Sequence, residues 1–244
     1  NIQSFKSSSS GSGSNGSGSN SGSSSGSGSN SGSISNGSDS GSNSGSGSTN
    51  ISRLKFIESS IQNRKIKDKL IRHIAYEYLL KEKVLIDIEN FLFEFMKISN
   101  NLEINSEINL LYNNIVLLQK GKKIPEICLI NSNGKTLSSK ALKNRKKTIY
   151  VFWSINQDSH KITLFNRIFK ILNHNQRDYI FYCVNINSNQ IEWIESLKTI
   201  PKSKNIIHFR SKEFDIMSKK IVLNNLNKII LTTGNGLILD ISNI

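Results

Sequence analysis

Between Ser7 and Asn50, 35 of 44 positions are Gly or Ser, and the only apolar residue is Ile34. Such a stretch has almost nothing to bury against the entropy of ordering its backbone, so residues 1–50 are expected to form a disordered Gly/Ser/Asn-rich linker. What can fold is the 194 residues from Ile51 to Ile244. They are about 44% apolar, which is ordinary for a globular chain. That size suits one modest domain with a smaller appendage, and excludes fibrous, collagen-like and disulfide-framework classes. No run of 18 apolar residues occurs, so no helical membrane span is expected. The chain starts with Asn1 rather than Met, without a basic-then-apolar leader, and is read as a fragment or processed form.

The formal charge of +14 falls almost wholly on the folding part, since the tract carries only Asp39. Its densest run is Lys140-Ala-Leu-Lys-Asn-Arg-Lys-Lys147, just ahead of an apolar strand. A charge of this size can serve nucleic acid or an anionic membrane. The chain is also crowded with Asn, Ile and Lys, a bias that raises charge without any ligand. No zinc-finger spacing or Gly-aromatic RNA-binding pattern accompanies it, so no nucleic-acid partner is expected.

Residues 51–120 read as helical. Ile66, Leu70, Ile74 and Tyr78 fall four apart with Ile71 and Ala75 beside them, and predict one buried stripe. Ile88, Phe91, Leu92, Phe95 and Met96 give a second, and Ile104, Ile108, Leu111, Tyr112 and Ile115 a third. From residue 121 the texture changes. Residues 127–130 predict a strand closed by Asn131-Ser-Asn-Gly134, and 148–153 a strand buried on both faces. Residues 157–172 return to helix period; 179–186 predict a second buried strand, 191–197 a short helix and 206–209 a short strand. Residues 228–232, Gly234-Asn-Gly236 and 237–241 predict a closing hairpin. Together these make an α/β plan with a mixed sheet flanked by helices.

That order, with its signposts, resembles the thioredoxin-like family in its envelope TlpA/ResA-type thiol-disulfide oxidoreductase branch. The residues that carry the likeness are Gly-Lys-Lys-Ile-Pro125-Glu before a strand, Asn-Gly134-Lys after it and Val-Phe152-Trp153-Ser on the central strand. Asn-Ile-Asn-Ser-Asn followed by Trp193, and Gly-Asn-Gly236 in the final hairpin, complete the set. The resemblance implies a thioredoxin-like domain over 121–244, with helices ahead of it. It also implies a place outside the cytoplasm, periplasmic or membrane-tethered in a bacterial envelope, with the linker as tether.

The resemblance implies that the family's chemistry is not retained. Its members carry Phe-Trp-x-x-x-Cys-x-x-Cys, two thiols at a helix start whose amides favour a thiolate. Here the string is Phe152-Trp153-Ser-Ile-Asn-Gln157-Asp-Ser-His160, so Gln157 and His160 stand where the cysteines belong. Asn227 stands where the family's cis-proline would face them. The resemblance therefore implies no catalytic residue, only vestigial positions at Gln157, His160 and Asn227, which are expected to form a polar patch reachable from solvent. Cys128 and Cys183 lie on strands and are expected to be buried small hydrophobes. His73, His160, His174 and His208 lack paired ligand spacing, so no metal or cofactor is expected. Asp158 and Ser159 read as capping residues, and Trp153 and Trp193 as packing residues. The expected function is a redox-inactive module that binds a protein or peptide partner. The alternatives are a thiol-disulfide oxidoreductase working through Cys128 or Cys183 and, more remotely, a basic nucleic-acid binder.

Overall fold

The structure, a computed structural model, describes residues 45–175 and 178–243. Most of the stretch expected as linker lies outside the described residues. Its last part does not stay coil: helix α1, Gly45–Ser60, begins inside the tract. A Gly/Ser helix start has poor intrinsic propensity, so packing must hold it. Leu54 of α1 is fully buried, and a side chain at Gly47 would press on the Tyr78 hydroxyl at 3.1 Å.

Three further helices follow: α2 (Arg64–Lys81), α3 (Leu85–Ile98) and α4 (Leu102–Leu117). Asn63 and Asn101 cap α2 and α4, their side chains accepting from the Ile66 amide and from the Glu103 and Ile104 amides. Leu54, Ile74, Ile88, Phe91, Phe95 and Ile108 pack together as the helical core. The α2 stripe differs from the sequence reading. Ile71, Ile74, Ala75, Tyr78 and Leu79 are buried, whereas Ile66 is 50% and Leu70 39% exposed. Each four-residue step advances about 40° around a helix, so a strict i+4 row winds off the buried face.

The second part is one seven-stranded sheet in the order β2-β1-β5-β4-β3-β6-β7. The strands are β1 (Cys128–Ile130), β2 (Thr136–Ser138), β3 (Lys147–Ser154), β4 (Tyr179–Ile186), β5 (Ile206–Ser211), β6 (Lys228–Thr232) and β7 (Ile238–Asn243). Central β3, β4 and β5 run parallel; β1 and β6 join antiparallel, each carrying its hairpin partner at the edge. Helices α5 (Asp158–Asn175) and α6 (Gln190–Leu197) link the parallel strands, and α7 (Phe214–Lys220) precedes β6. Strand β2 and helix α7 have no counterpart in the sequence reading; both are short, and β2 is recognisable only by its pairing with β1.

Strand alternation sorts the core into two layers. Ile149, Val151 and Trp153 face α5 and α6 with Phe165, Ile168 and Trp193. Tyr150, Phe152, Tyr182 and Val184 face the other side with Met217 of α7, Ile221 just after it and Leu118 after α4. Leu111 and Ile115 of α4 pack against both this layer and the helical core, so the four-helix segment is joined to the sheet through α4. The fold thus leaves the start of α5 directly beyond the carboxyl end of the central strand.

Candidate functional site

Strand β3 ends at Ser154, and the turn that follows is built from backbone and short polar groups. The Ser154 hydroxyl accepts from the Asn156 amide at 3.2 Å, and its carbonyl accepts from the Gln157 amide at 3.3 Å. The Gln157 carbonyl accepts from the Lys161 amide at 2.9 Å, which starts the helix. Asp158 opens the first turn, where a carboxylate suits the positive end of the helix, and pairs with Lys161 at 2.7 Å. Gln157 is exposed, immediately before the first turn of α5.

His160 lies one turn on, but the structure corrects the expectation of a solvent-reachable imidazole. Both ring nitrogens are shielded and have no hydrogen-bond partner among the described residues. Burial lowers its pKa, while the nearby Leu226 backbone opposes that shift without meeting hydrogen-bond geometry. The ring is therefore held toward its neutral form. The proximity to Leu226 brings the α5 start beside the loop that carries Asn227. Asn227 is exposed, and its amide donates to Asn225 Oδ1 at 2.9 Å. Gln157 and Asn227 thus offer reachable amide groups, whereas His160 is half-buried with its ring nitrogens shielded.

The same loop carries a strained residue. Val222 has φ +48°, unusual for a β-branched side chain, and its carbonyl accepts from Lys228 Nζ at 2.9 Å. Lys228 is 9% exposed, and burial lowers its pKa to about 8. A shallow groove of about 310 Å³ starts at the first turn of α5 along Asp158, Lys161, Ile162 and Phe165 and is closed by Ile200 and Pro201. Ile162, 58% exposed, is an accessible apolar residue of the groove.

The two thiols lie elsewhere in the sheet. Cys183, on β4, is completely buried, and burial pushes its pKa far up, so it stays protonated. Cys128 is exposed, against the sequence expectation, because the β1 pleat turns Leu129 into the core and its neighbour outward. Both are free. Strand β5 lies between β1 and β4, and two strand spacings amount to about 9–10 Å, beyond the reach of a disulfide. Trp153 and Trp193 are fully buried in the layer under α5 and α6, as packing residues. Among the described residues, no cluster of three or more His, Cys, Asp or Glu side chains could hold a metal ion. Sequence reasoning did not single out Lys228 or Val222, whose pairing depends on the loop conformation.

No protein-family profile matches the chain, and no curated protein matches it. Among solved structures, it is similar to a thioredoxin-like protein from Bacteroides caccae, with 15% identity and a TM-score of 0.53, covering 80% of this chain and 72% of that one. It is also similar to the thioredoxin domain of a thiol-disulfide oxidoreductase from Bacteroides vulgatus (18% identity, TM-score 0.43, 51% of this chain and 89% of that one). A thiol:disulfide interchange protein from a Bacteroides species gives 19% identity and a TM-score of 0.42, over 51% of this chain and 82% of that one. Likeness at these identities is likeness of fold. The mixed sheet with helices on both faces and the similarity to the Bacteroides caccae structure agree: this chain has a thioredoxin-like fold.

Proposed function

We propose that the chain is a thioredoxin-like binding module that does not carry out dithiol-disulfide exchange. One observation carries this reading: the helix turn that would hold the thiol pair presents Gln157 and a half-buried His160 instead. Neither side chain can form a mixed disulfide. Gln157 and Asn227 supply amide donors and acceptors suited to the backbone of an extended peptide, and the groove along α5 adds Ile162 as an apolar contact. The partner is a protein or peptide segment. The setting outside the cytoplasm, in a bacterial envelope, rests on the resemblance of the sequence to envelope thioredoxin-like proteins.

Reduction of insulin disulfides by dithiothreitol tests this directly. The wild-type chain is expected to add nothing to the uncatalysed rate, as are the Cys128→Ser and Cys183→Ser variants. Turnover that vanishes with one of the two would replace this reading with the oxidoreductase alternative. That second reading has one observation in its favour, the exposure of Cys128, which leaves a single thiol open to exchange.

A further inference from the structure

The excess positive charge is unevenly placed. Residues 51–118 hold 10 Lys and Arg against 9 Asp and Glu, whereas residues 119–244 hold 21 against 8. Within the second part, the fold gathers cations from separate stretches of chain. Strands β3, β4 and β5 run parallel, so their amino-terminal ends share one pole of the sheet. Strand β6 is antiparallel to β3, which brings the β6-β7 turn to the same pole.

Backbone hydrogen bonds lock these segments together. The Asn144 amide donates to the Gly234 carbonyl at 3.1 Å, and the Lys147 amide to the Asp178 carbonyl at 3.0 Å. The Ile124 amide donates to Gly236 at 2.9 Å and the Ile238 amide to Lys122 at 2.8 Å. Lys146 Nζ donates to Asn205 Oδ1 at 2.9 Å, which ties the loop before β3 to the one before β5. Exposed Lys122 and Lys123 therefore join Lys143, Arg145 and Lys147, and the loop before β5 adds Lys202 and Lys204. None of these seven forms a salt bridge among the described residues. Residues 121–124, 143–147, 202–205 and 233–237 contain no carboxylate; Asp178 is their acidic neighbour. Leu237, at the hairpin tip and bridged to Lys123, is 39% exposed.

We propose that this pole docks on an anionic phospholipid surface, with the lysines and Arg145 on the headgroup phosphates and Leu237 entering the interface. The pole is formed by strand ends and turns, lacks a projecting helix to enter a nucleic-acid groove, and has no aromatic side chain in those four segments for base stacking. An exposed apolar residue bridged to Lys123, on a hairpin tied to the basic loop before β3, suits a lipid interface better than a polynucleotide. The Gln157 turn lies at the carboxyl end of β3, roughly 25 Å along the strand from Lys147, so docking this way points the candidate site away from the lipid. This inference holds whether or not that site binds a peptide.

Co-sedimentation of the full chain with phosphatidylcholine vesicles, with and without phosphatidylglycerol, tests it. Binding is expected only with the anionic lipid, and to weaken steeply with salt. A triple variant, Lys143→Gln, Lys147→Gln and Lys202→Gln, is expected to lower partitioning of the order of a hundredfold, given about fivefold per cation at the surface. The matched helical-segment triple, Lys65→Gln, Lys69→Gln and Lys97→Gln, is expected to leave partitioning within about twofold. Equal loss in the two triples, equal binding to neutral vesicles, or tighter binding to random duplex DNA than to the anionic vesicles would each overturn the proposal.

Discussion

Burial gives the two thiols of this chain opposite chemistry. Cys183, with no exposed surface on β4, is held protonated, while Cys128 faces outward from β1. Titration of the native protein with a thiol reagent is expected to find one reactive thiol, lost in Cys128→Ser, and a second only in denaturant. His208 lies in register with Cys183, its ring 5.9 Å from that of Phe165, and burial lowers its pKa to about 4 from 6.5. The unfolded chain therefore binds more protons than the folded one between these values, so stability rises with pH across the window. The contribution is fully present above pH 6.5 and is lost as pH falls toward 4. A loss of about 2–3 kcal/mol is expected from this group, at about 1.4 kcal/mol per pKa unit. Urea titrations at pH values across the window, compared with His208→Leu, check it: the variant should show a shallower decline.

At the scale of elements, the β6-β7 hairpin depends on close backbone approach. A Cβ on Gly234 would sit 2.0 Å from the Asn144 carbonyl oxygen and 2.8 Å from that of Lys146. Neither is the movable end of a side chain, so Gly234→Ala has to displace the loop before β3. A destabilisation of about 2–4 kcal/mol is expected, read as a lower urea midpoint. The α5 start gives a second test. Gln157→Cys with His160→Cys would place two thiols at the first turn of an 18-residue helix, where the amides favour a thiolate. The double variant is expected to gain measurable insulin reduction from a wild-type background of none. A double variant that stays folded and inactive would show that Asn227 or the surrounding loop also blocks the chemistry.

For the molecule as a whole, Leu111 and Ile115 of α4 belong to two cores at once. Leu118 is 6% exposed and packs inside the sheet layer. A helical segment so joined should not unfold by itself. Both tryptophans, Trp153 and Trp193, lie in the thioredoxin-like part, so their fluorescence reports that part, while far-ultraviolet circular dichroism also reads the four preceding helices. The two transitions in urea are expected to coincide in the wild type. Leu118→Ala is expected to cost about 2–4 kcal/mol and to lower both midpoints together. Separate midpoints would mean that the α4 contacts do not couple the parts.

Periodicity was enough for most of the long elements of this protein, α1 excepted. The run from Tyr179 to Ile186 is a strand with those bounds, and the apolar run from Thr148 to Trp153 is buried on both faces, because a central parallel strand leaves no polar side to show. The absence of thiols at Gln157 and His160 was equally legible, since it is a matter of residue identity. Which way a side chain faces was not. Cys128 faces outward on the pleat of a three-residue strand, Ile66 and Leu70 wind off the buried face of α2, and the His160 ring nitrogens are shielded near Leu226; each depends on which face the rest of the fold covers. The helical start at Gly45 likewise arises from packing that overrides weak propensity. The basic pole shows the division most plainly. Its densest run is visible in the chain, but parallel pairing of β3, β4 and β5 and antiparallel pairing of β6 bring Lys122, Lys123, Lys202 and Lys204 to the same end, and strand direction is decided only when the sheet assembles.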